Sequence, residues 1–316
     1  MKIEEFVGQE ESKKKLAFYT EAYLSGDIFP SIMTCAARGQ GKTELMESLA
    51  TMLREVTNGQ KKAMKVNASV IKSVKGFWNN VVLPSIHNRD VTLFIDEAHK
   101  LPKDVTGLLL TATDPKSPIN SVTYENYTVD FDLKRQTFVY ATTEPQQVFH
   151  ALMNRCKRLD LVDYNNIELG KILRLNAPGI QISDNLLHED IASTLRCTGR
   201  QAVERAKEIL SYLKPLHKHN FSYDDWDKLK SVLTIRPLGL TSMEHRALEI
   251  FNERPDCSLT RLAATLKMTT QAVRQDVEIF LLNQGLMEIT TGGRNITPKG
   301  QEYLKLAKAW EVGKTI

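Results

Sequence analysis

Apolar residues recur along this chain in two rhythms, and the switch between them divides it. Over residues 11–24 charged side chains alternate with Leu16, Ala17, Tyr19, Ala22 and Tyr23, the spacing of an amphipathic helix that Gly26 ends. Short, nearly continuous apolar runs follow at residues 31–35, 63–66, 92–95 and 137–140. The run at 92–95, bounded by Asp90 and Asp96, predicts a parallel strand covered on both faces and 137–140 another buried strand, while 31–35 and 63–66 read as short strands. Helical spacing lies between them. Residues 43–55 place Leu45, Met46, Leu49, Met52 and Leu53 on one face, residues 74–83 carry Trp78 with Pro84 near their end, and Leu108-Leu109-Leu110 marks a third helix. Alternating strands and helices predict an α/β domain. One segment differs: Ser121-Val122-Thr123-Tyr124 and Tyr127-Thr128-Val129-Asp130-Phe131 flank Glu125-Asn126, the pattern of a β-hairpin.

From residue 167 to 233 the rhythm is helical throughout, through Leu169, Ile172 and Leu173, then Leu186, Leu187 and Ile191, then Ala202, Ala206, Ile209 and Leu210. Asn176-Ala177-Pro178-Gly179 and Lys214-Pro215 punctuate it. Arg236-Pro237-Leu238-Gly239 reads as a linker. Beyond it, three short helices are expected at 242–252, 258–266 and 270–284. Met287-Glu288-Ile289-Thr290 and Arg294-Asn295-Ile296-Thr297 then flank Gly292-Gly293 as a hairpin. Three helices and a β-wing predict a winged helix, whose third helix is the usual groove-entering element. The expected division is 1–163, 164–236 and 237–316.

Composition narrows the class. The 316 residues are 42% hydrophobic and 25% charged, as in soluble globular proteins, and the formal net charge is +4. Cys35, Cys156, Cys197 and Cys257 are scattered, without metal-ligand spacing, which argues for reduced thiols in a cytoplasmic protein. The start, Met1-Lys2-Ile3-Glu4-Glu5, lacks the apolar core of a signal peptide, and no apolar run reaches membrane-spanning length, so no membrane is expected.

Candidate chemistry begins after the first strand. Ala36-Ala37-Arg38-Gly39-Gln40-Gly41-Lys42-Thr43 is a phosphate-binding loop opening a helix. Gly39, Gln40 and Gly41 would turn backbone N–H groups toward phosphates, Lys42 would reach the β- and γ-phosphates, and the Thr43 hydroxyl would hold Mg²⁺. Fifty residues on, Asp96 ends an apolar strand, where open α/β sheets bind ligands, and would organise the metal shell. Glu97 would polarise the attacking water. The strand at 137–140 ends in Ala141-Thr142-Thr143, a polar group presented where a γ-phosphate sensor would stand. ATP and Mg²⁺ are the cofactors this implies.

These motifs, with Phe6-Val7-Gly8-Gln9-Glu10, Ala98-His99-Lys100-Leu101, Asn154-Arg155-Cys156 and Gly199-Arg200, resemble the AAA+ ATPases, and among them the RuvB family of Holliday-junction branch-migration motors. The resemblance continues through Leu281-Leu282-Asn283-Gln284-Gly285-Leu286 and the wing. It implies an α/β P-loop AAA+ domain, a helical lid and a C-terminal winged-helix domain. It also implies a first sensor at Thr143, an arginine finger at Arg155 reaching a neighbour's nucleotide, with Arg158 as rival, and a second sensor at Arg200. A finger supplied across an interface makes hydrolysis depend on assembly, here a hexameric ring or spiral. Two departures stand out. Ala36 occupies the place of the loop's first glycine, which would be strained if φ there had to be positive. The hairpin at 121–131, in the position where the family docks its RuvA partner, is shorter and polar-aromatic.

On the winged helix, Arg274 and Gln275 are expected on the exposed face of the third helix and Arg294 at the wing tip, all toward DNA. Residues 237–316 carry ten Lys and Arg against nine Asp and Glu, a surplus of one, so DNA affinity would lean on several subunits acting together. The reading is an oligomeric ATP-dependent motor on duplex or branched DNA. Two alternatives stay open: a clamp-loader-like or helicase-loader switch acting on a replication protein, and an ATP-binding DNA-associated scaffold with little turnover.

Overall fold

A computed structural model describes residues 3–312; Met1 and Lys2 of the charged start, and residues 313–316, lie outside the described residues. The chain forms two units, Met1–Glu168 with Thr198–Arg200, and Leu169–Cys197 with Gln201–Ile316.

The first unit is built on strands β1 (Ile32–Cys35), β2 (Lys62–Asn67), β3 (Val91–Asp96), β4 (Ile119–Tyr124), β5 (Tyr127–Asp132), β6 (Gln136–Thr142) and β7 (Lys157–Asp160). Five of them form one parallel sheet in the order β2-β3-β6-β1-β7. Side chains leave the central strands alternately for two cores. Leu93 and Ile95, Phe138 and Tyr140, and Met33 and Cys35 enter one; Phe94, Val139, Ala141 and Ile32 enter the other. Burial on both faces is why these strands read as unbroken apolar runs. The helix Lys42–Val56 sets Leu45, Met46, Leu49 and Leu53 into the second core. Each such leucine contributes roughly 2 kcal/mol relative to exposure.

Two local departures have clear causes. Strand β7 was not expected, because only Leu159 of Lys157-Arg158-Leu159-Asp160 is buried. It is an edge strand paired to β1 alone, and charged side chains are tolerated there. The helix expected at 74–83 begins at Val74–Phe77 and continues as a wider, π-type coil over Trp78–Ile86, passing through Pro84. Proline has no N–H for a regular turn, and the wider coil still buries Trp78, Val81, Val82 and Ile86. The hairpin expected around Glu125-Asn126 is β4–β5, with Tyr124 opposite Tyr127; Val122, Val129 and Phe131 anchor it in the first core.

In the second unit, a short parallel pair, Gln181–Ile182 with Asn220–Phe221, interrupts the segment read as wholly helical. Two residues per strand are too few to leave a period-2 signal. The winged helix follows. Helices Ser242–Glu253 and Leu259–Leu266 precede a third helical run of Thr270–Val273, Arg274–Glu278 and Ile279–Asn283. Thr241, Ser258 and Thr269 open the three helices by accepting N–H bonds from Glu244, Arg261 and Ala272. Met287–Ile289 pairs antiparallel with Arg294–Ile296 as the wing. A last helix, Pro298–Val312, was not anticipated; its Tyr303, Leu304 and Ala307 complete this core.

Candidate nucleotide site and winged-helix surface

Strand order brings the candidate residues together. All five strands are parallel, so their C-terminal ends share one edge, with β6 between β1 and β3. In register, Cys35 lies opposite Thr142 and Asn67 opposite Asp96. The loop after β1, the acids after β3 and the threonines ending β6 therefore adjoin one another, at the carboxyl edge where such sheets bind ligands.

The loop has the backbone a phosphate cradle requires. Gly39 and Gly41 hold φ of +84° and +80°, whereas Ala36 is not among the residues with positive φ. The concern over Ala36 is thus resolved: the strained positions are the two that glycine fills. Space matters too. A Cβ on Gly41 would come within 2.8 Å of the Tyr164 hydroxyl and 3.0 Å of Phe6 Cζ, and one on Gly39 within 3.2 Å of Arg200 Cβ. Gln40 is buried and donates from Nε2 to Asp163 Oδ1 at 2.5 Å, bracing the loop. Lys42, also buried, donates from Nζ to the carbonyl oxygens of Ala36 and Ala37, both at 2.8 Å. Burial draws its pKa below the usual lysine value, Arg200 adds to that, and Asp96 and Glu97 oppose it. Thr43 follows on the first helical turn, half-buried.

Asp96 ends β3, and its Oδ1 accepts the Glu97 N–H at 3.0 Å. Glu97 sits in the left-handed region at φ +55°, and its Oε2 is buried without a hydrogen-bond partner. Thr142 is fully buried and Thr143, just past the strand, half-buried. Arg200 is exposed, and its N–H donates to the Gly39 carbonyl at 3.1 Å, fastening the candidate second sensor to the loop.

Arg155 ends the helix His150–Arg155. It donates to the Leu110 carbonyl and lies 3.4 Å from Asp114 Oδ2, with 32% of its side chain exposed. Arg158 is instead paired with Asp160 at 2.7 Å. Sequence reasoning missed several neighbours. Tyr164 packs on the loop, and burial pushes its pKa up to about 12. His99 and Glu144 gather around Glu97. His99 stands in the stretch already quoted after Glu97, but its contacts with Thr142 and Glu144 depend on β3 and β6 becoming neighbours.

On the winged helix, Arg274 and Gln275 are exposed, as is Gln271. Arg294 is not at an outward tip. Its guanidinium turns inward to Glu278, 2.6 Å away, the pair being only 14% and 5% exposed, so the expectation that it reaches DNA is corrected. A buried carboxylate needs a partner, and Arg294 is the strand residue within reach. Among the described residues no three His, Cys, Asp or Glu side chains cluster as a metal site, and no helix is long and apolar enough to cross a membrane. Among the described residues no disulfide joins the four cysteines.

Comparison with known proteins agrees over both units. Residues 1–160 match the family described as Holliday junction DNA helicase RuvB P-loop domain, and residues 237–305 match the RuvB C-terminal winged helix domain. The Holliday junction branch migration complex subunit RuvB of Thermotoga maritima is 28% identical over 321 residues, covering 96% of this chain and 90% of that protein. The Campylobacter curvus protein of the same description is 26% identical, covering 96% and 89%. The solved structure of the Thermotoga maritima RuvB Holliday junction branch migration motor superposes with a TM-score of 0.76 at 26% identity, over 96% of this chain and 97% of that one.

Proposed function

The chain belongs to the RuvB family, and from that premise we propose that it is an ATP-driven motor on duplex or branched DNA, assembled as a ring or spiral. The observation that carries this is the convergence of Lys42, Asp96, Glu97, Thr142, Thr143 and Arg200 at one carboxyl edge of the sheet.

In this reading Lys42 exchanges two carbonyl oxygens for phosphate oxygens, keeping its charge compensated throughout. Gly39, Gln40 and Gly41 line the phosphates with N–H groups. The Thr43 hydroxyl and the Asp96 carboxylate are hard oxygen donors of the kind Mg²⁺ takes, and the bound ion would offset phosphate charge. Glu97 orients and polarises the attacking water, consistent with a carboxylate oxygen that no aligned hydrogen bond holds. Thr143 and Arg200 sense the γ-phosphate. Arg155 serves as the finger for a neighbouring subunit's nucleotide, released from Leu110 and Asp114 on assembly, which makes turnover concentration-dependent. Arg274 and Gln275 face DNA, and the β4–β5 hairpin is the docking element for a partner protein.

Steady-state ATP hydrolysis, alone and with linear duplex, single-stranded and four-way-junction DNA across salt, tests the proposal. Salt-sensitive stimulation by duplex or junction DNA, followed by junction resolution into arms in a branch-migration assay, is expected. Hydrolysis indifferent to every DNA would overturn the motor and favour a protein-directed switch; ATP binding without turnover would favour a scaffold.

A further inference from the structure

One buried side chain at the sheet edge has no part in the chemistry just assigned. His99 lies on the short turn Ala98–Lys100 after Glu97, its side chain 3% exposed. Its Nδ1 is 3.0 Å from the Thr142 hydroxyl. That hydroxyl already accepts the Glu144 N–H at 3.0 Å. A backbone N–H can only donate, so one Thr142 lone pair is used there, and the hydroxyl keeps its proton and a second lone pair for His99 Nδ1. The tautomer follows from the other side of the ring: the two carboxylates nearest Nε2 only accept, so the neutral ring carries its proton on Nε2 and the Thr142 hydroxyl donates to Nδ1.

Nε2 lies 3.3 Å from Glu97 Oε2 and 3.4 Å from Glu144 Oε1. Neither contact is aligned as a hydrogen bond; Nε2 and Glu97 Oε2 are both buried without a hydrogen-bonded partner. Buried polar atoms left this way are uncommon, and each calls for an explanation. Here Nε2 has a carboxylate oxygen of each of two residues within 3.4 Å.

We propose that His99 is a positioning residue for the water-activating carboxylate, its Nε2–H shared between Glu97 and Glu144, with its ring set by Thr142. The proposal rests on the reading of Glu97 given above. Glu97, His99, Thr142 and Glu144 form one connected group, and Thr142 is the neighbour of the sensor residue Thr143. A shift at the end of β6 on γ-phosphate contact reaches the ring through the Thr142 hydroxyl and through Glu144. A ring drawn toward Glu144 frees Glu97 for water; a ring drawn toward Glu97 holds it back. The orienting logic is that of a catalytic base aligned by a third group, and here the third group also touches the sensor strand.

The test compares His99→Leu, His99→Gln and Glu97→Gln, singly and as the Glu97→Gln/His99→Leu double variant, by steady-state ATP hydrolysis and equilibrium ATP binding. His99→Leu is expected to lower kcat by about 10- to 100-fold, the range for residues that orient a catalytic group, with ATP affinity unchanged. His99→Gln keeps an N–H donor within reach of both carboxylates and is expected to recover much of that loss. In the Glu97→Gln background, His99→Leu should add little, because the two act as one unit. Normal kcat in His99→Leu while Glu97→Gln is inactive would overturn the role of His99 alone. Equal losses in His99→Leu and His99→Gln that persist additively on Glu97→Gln would reduce His99 to packing and overturn it too. Turnover by Glu97→Gln would instead remove the reading of Glu97 itself.

Discussion

Charged side chains are used in opposite ways at the carboxyl edge of the sheet and in the winged helix. At the edge they are kept open to exchange. Lys42 rests on two neutral carbonyl oxygens, Glu97 Oε2 has His99 Nε2 at 3.3 Å but no aligned hydrogen bond, and Arg200 is exposed. In the second unit the buried charges are closed on one another. Arg294 grips the buried Glu278, and Arg196 meets the wholly buried Glu244 at 2.6 Å while lying 3.9 Å above the Phe280 ring. The difference teaches how to sort arginines and lysines by role. A cation held only by carbonyls can leave them for phosphate without orphaning a charge. One that leaves a buried carboxylate strands that charge in a poor solvent.

The largest effect that follows is at the open edge. Glu97→Gln keeps the shape of the side chain but removes its capacity to polarise water. Turnover should fall by about 10²- to 10⁴-fold while ATP binding persists. Equilibrium nucleotide binding beside a single-turnover assay checks it, and brisk hydrolysis by this variant would abolish the contrast between the two regions.

The closed region should respond in stability instead. Arg294→Ala leaves Glu278 buried without its partner, and the unfolding free energy of this unit should drop by roughly 3 kcal/mol, read from the urea midpoint. Replacing both members by apolar residues of similar volume should restore most of it. An Arg294→Ala protein as stable as the parent, yet weaker on DNA, would return Arg294 to the wing-tip role first expected of it.

That expectation shows where reading the chain reaches its limit. The strands were legible because two-sided burial leaves unbroken apolar runs, and the loop because Gly39, Gly41, Lys42 and Thr43 are required together by one ligand chemistry. The wing was legible from Gly292-Gly293 between two short β segments. The direction of Arg294 was not, since its partner Glu278 sits sixteen positions away on a helix and nothing local marks it as buried. Strand β7 and the group around His99 were hidden for the same reason: each depends on which strands become neighbours. The parallel order decides that, and no single segment encodes it.

Lys61 is a third kind of cation, neither open to ligand nor paired with an acid. It is buried, donates from Nζ to the Tyr23 hydroxyl at 3.0 Å and Thr137 Oγ1 at 2.9 Å, and lies 4.5 Å above the Tyr23 ring. Burial draws its pKa down to about 8 from 10.5, with Asp90 and Asp132 opposing. The folded state therefore sheds this proton more readily than the unfolded chain. Its cost to stability is full below pH 8 and relieved as pH rises from about 8 toward 10.5. Over that window the parent should gain about 2 kcal/mol relative to Lys61→Met, measured as the difference between their denaturant-unfolding curves. A constant difference across the window would mean that Lys61 is charged to the same extent in both states.

The smallest effect separates the two arginines of the winged helix most sharply. Arg274 is exposed on the third helix, and among the described residues no hydrogen bond or ion pair of its side chain competes with an outside phosphate in the way Glu278 competes for Arg294. Arg274→Ala should leave the urea midpoint nearly unchanged, since exposed substitutions cost within about 0.5 kcal/mol. Its effect should appear in the salt dependence of duplex binding, where removing one phosphate contact lowers the magnitude of the log–log slope by about 1 per subunit engaged. The surplus of one positive charge over residues 237–316 makes that single contact a sizeable share of each subunit's electrostatic attraction. Several weak wings on one DNA would then multiply the loss in the assembled form. If Arg274→Ala leaves the slope where it was, the exposed face of this helix does not meet the phosphate backbone, and the winged helix is a surface for protein. Should Arg294→Ala change the slope in its place, the sorting of open and closed charges fails in the region where it was drawn most plainly.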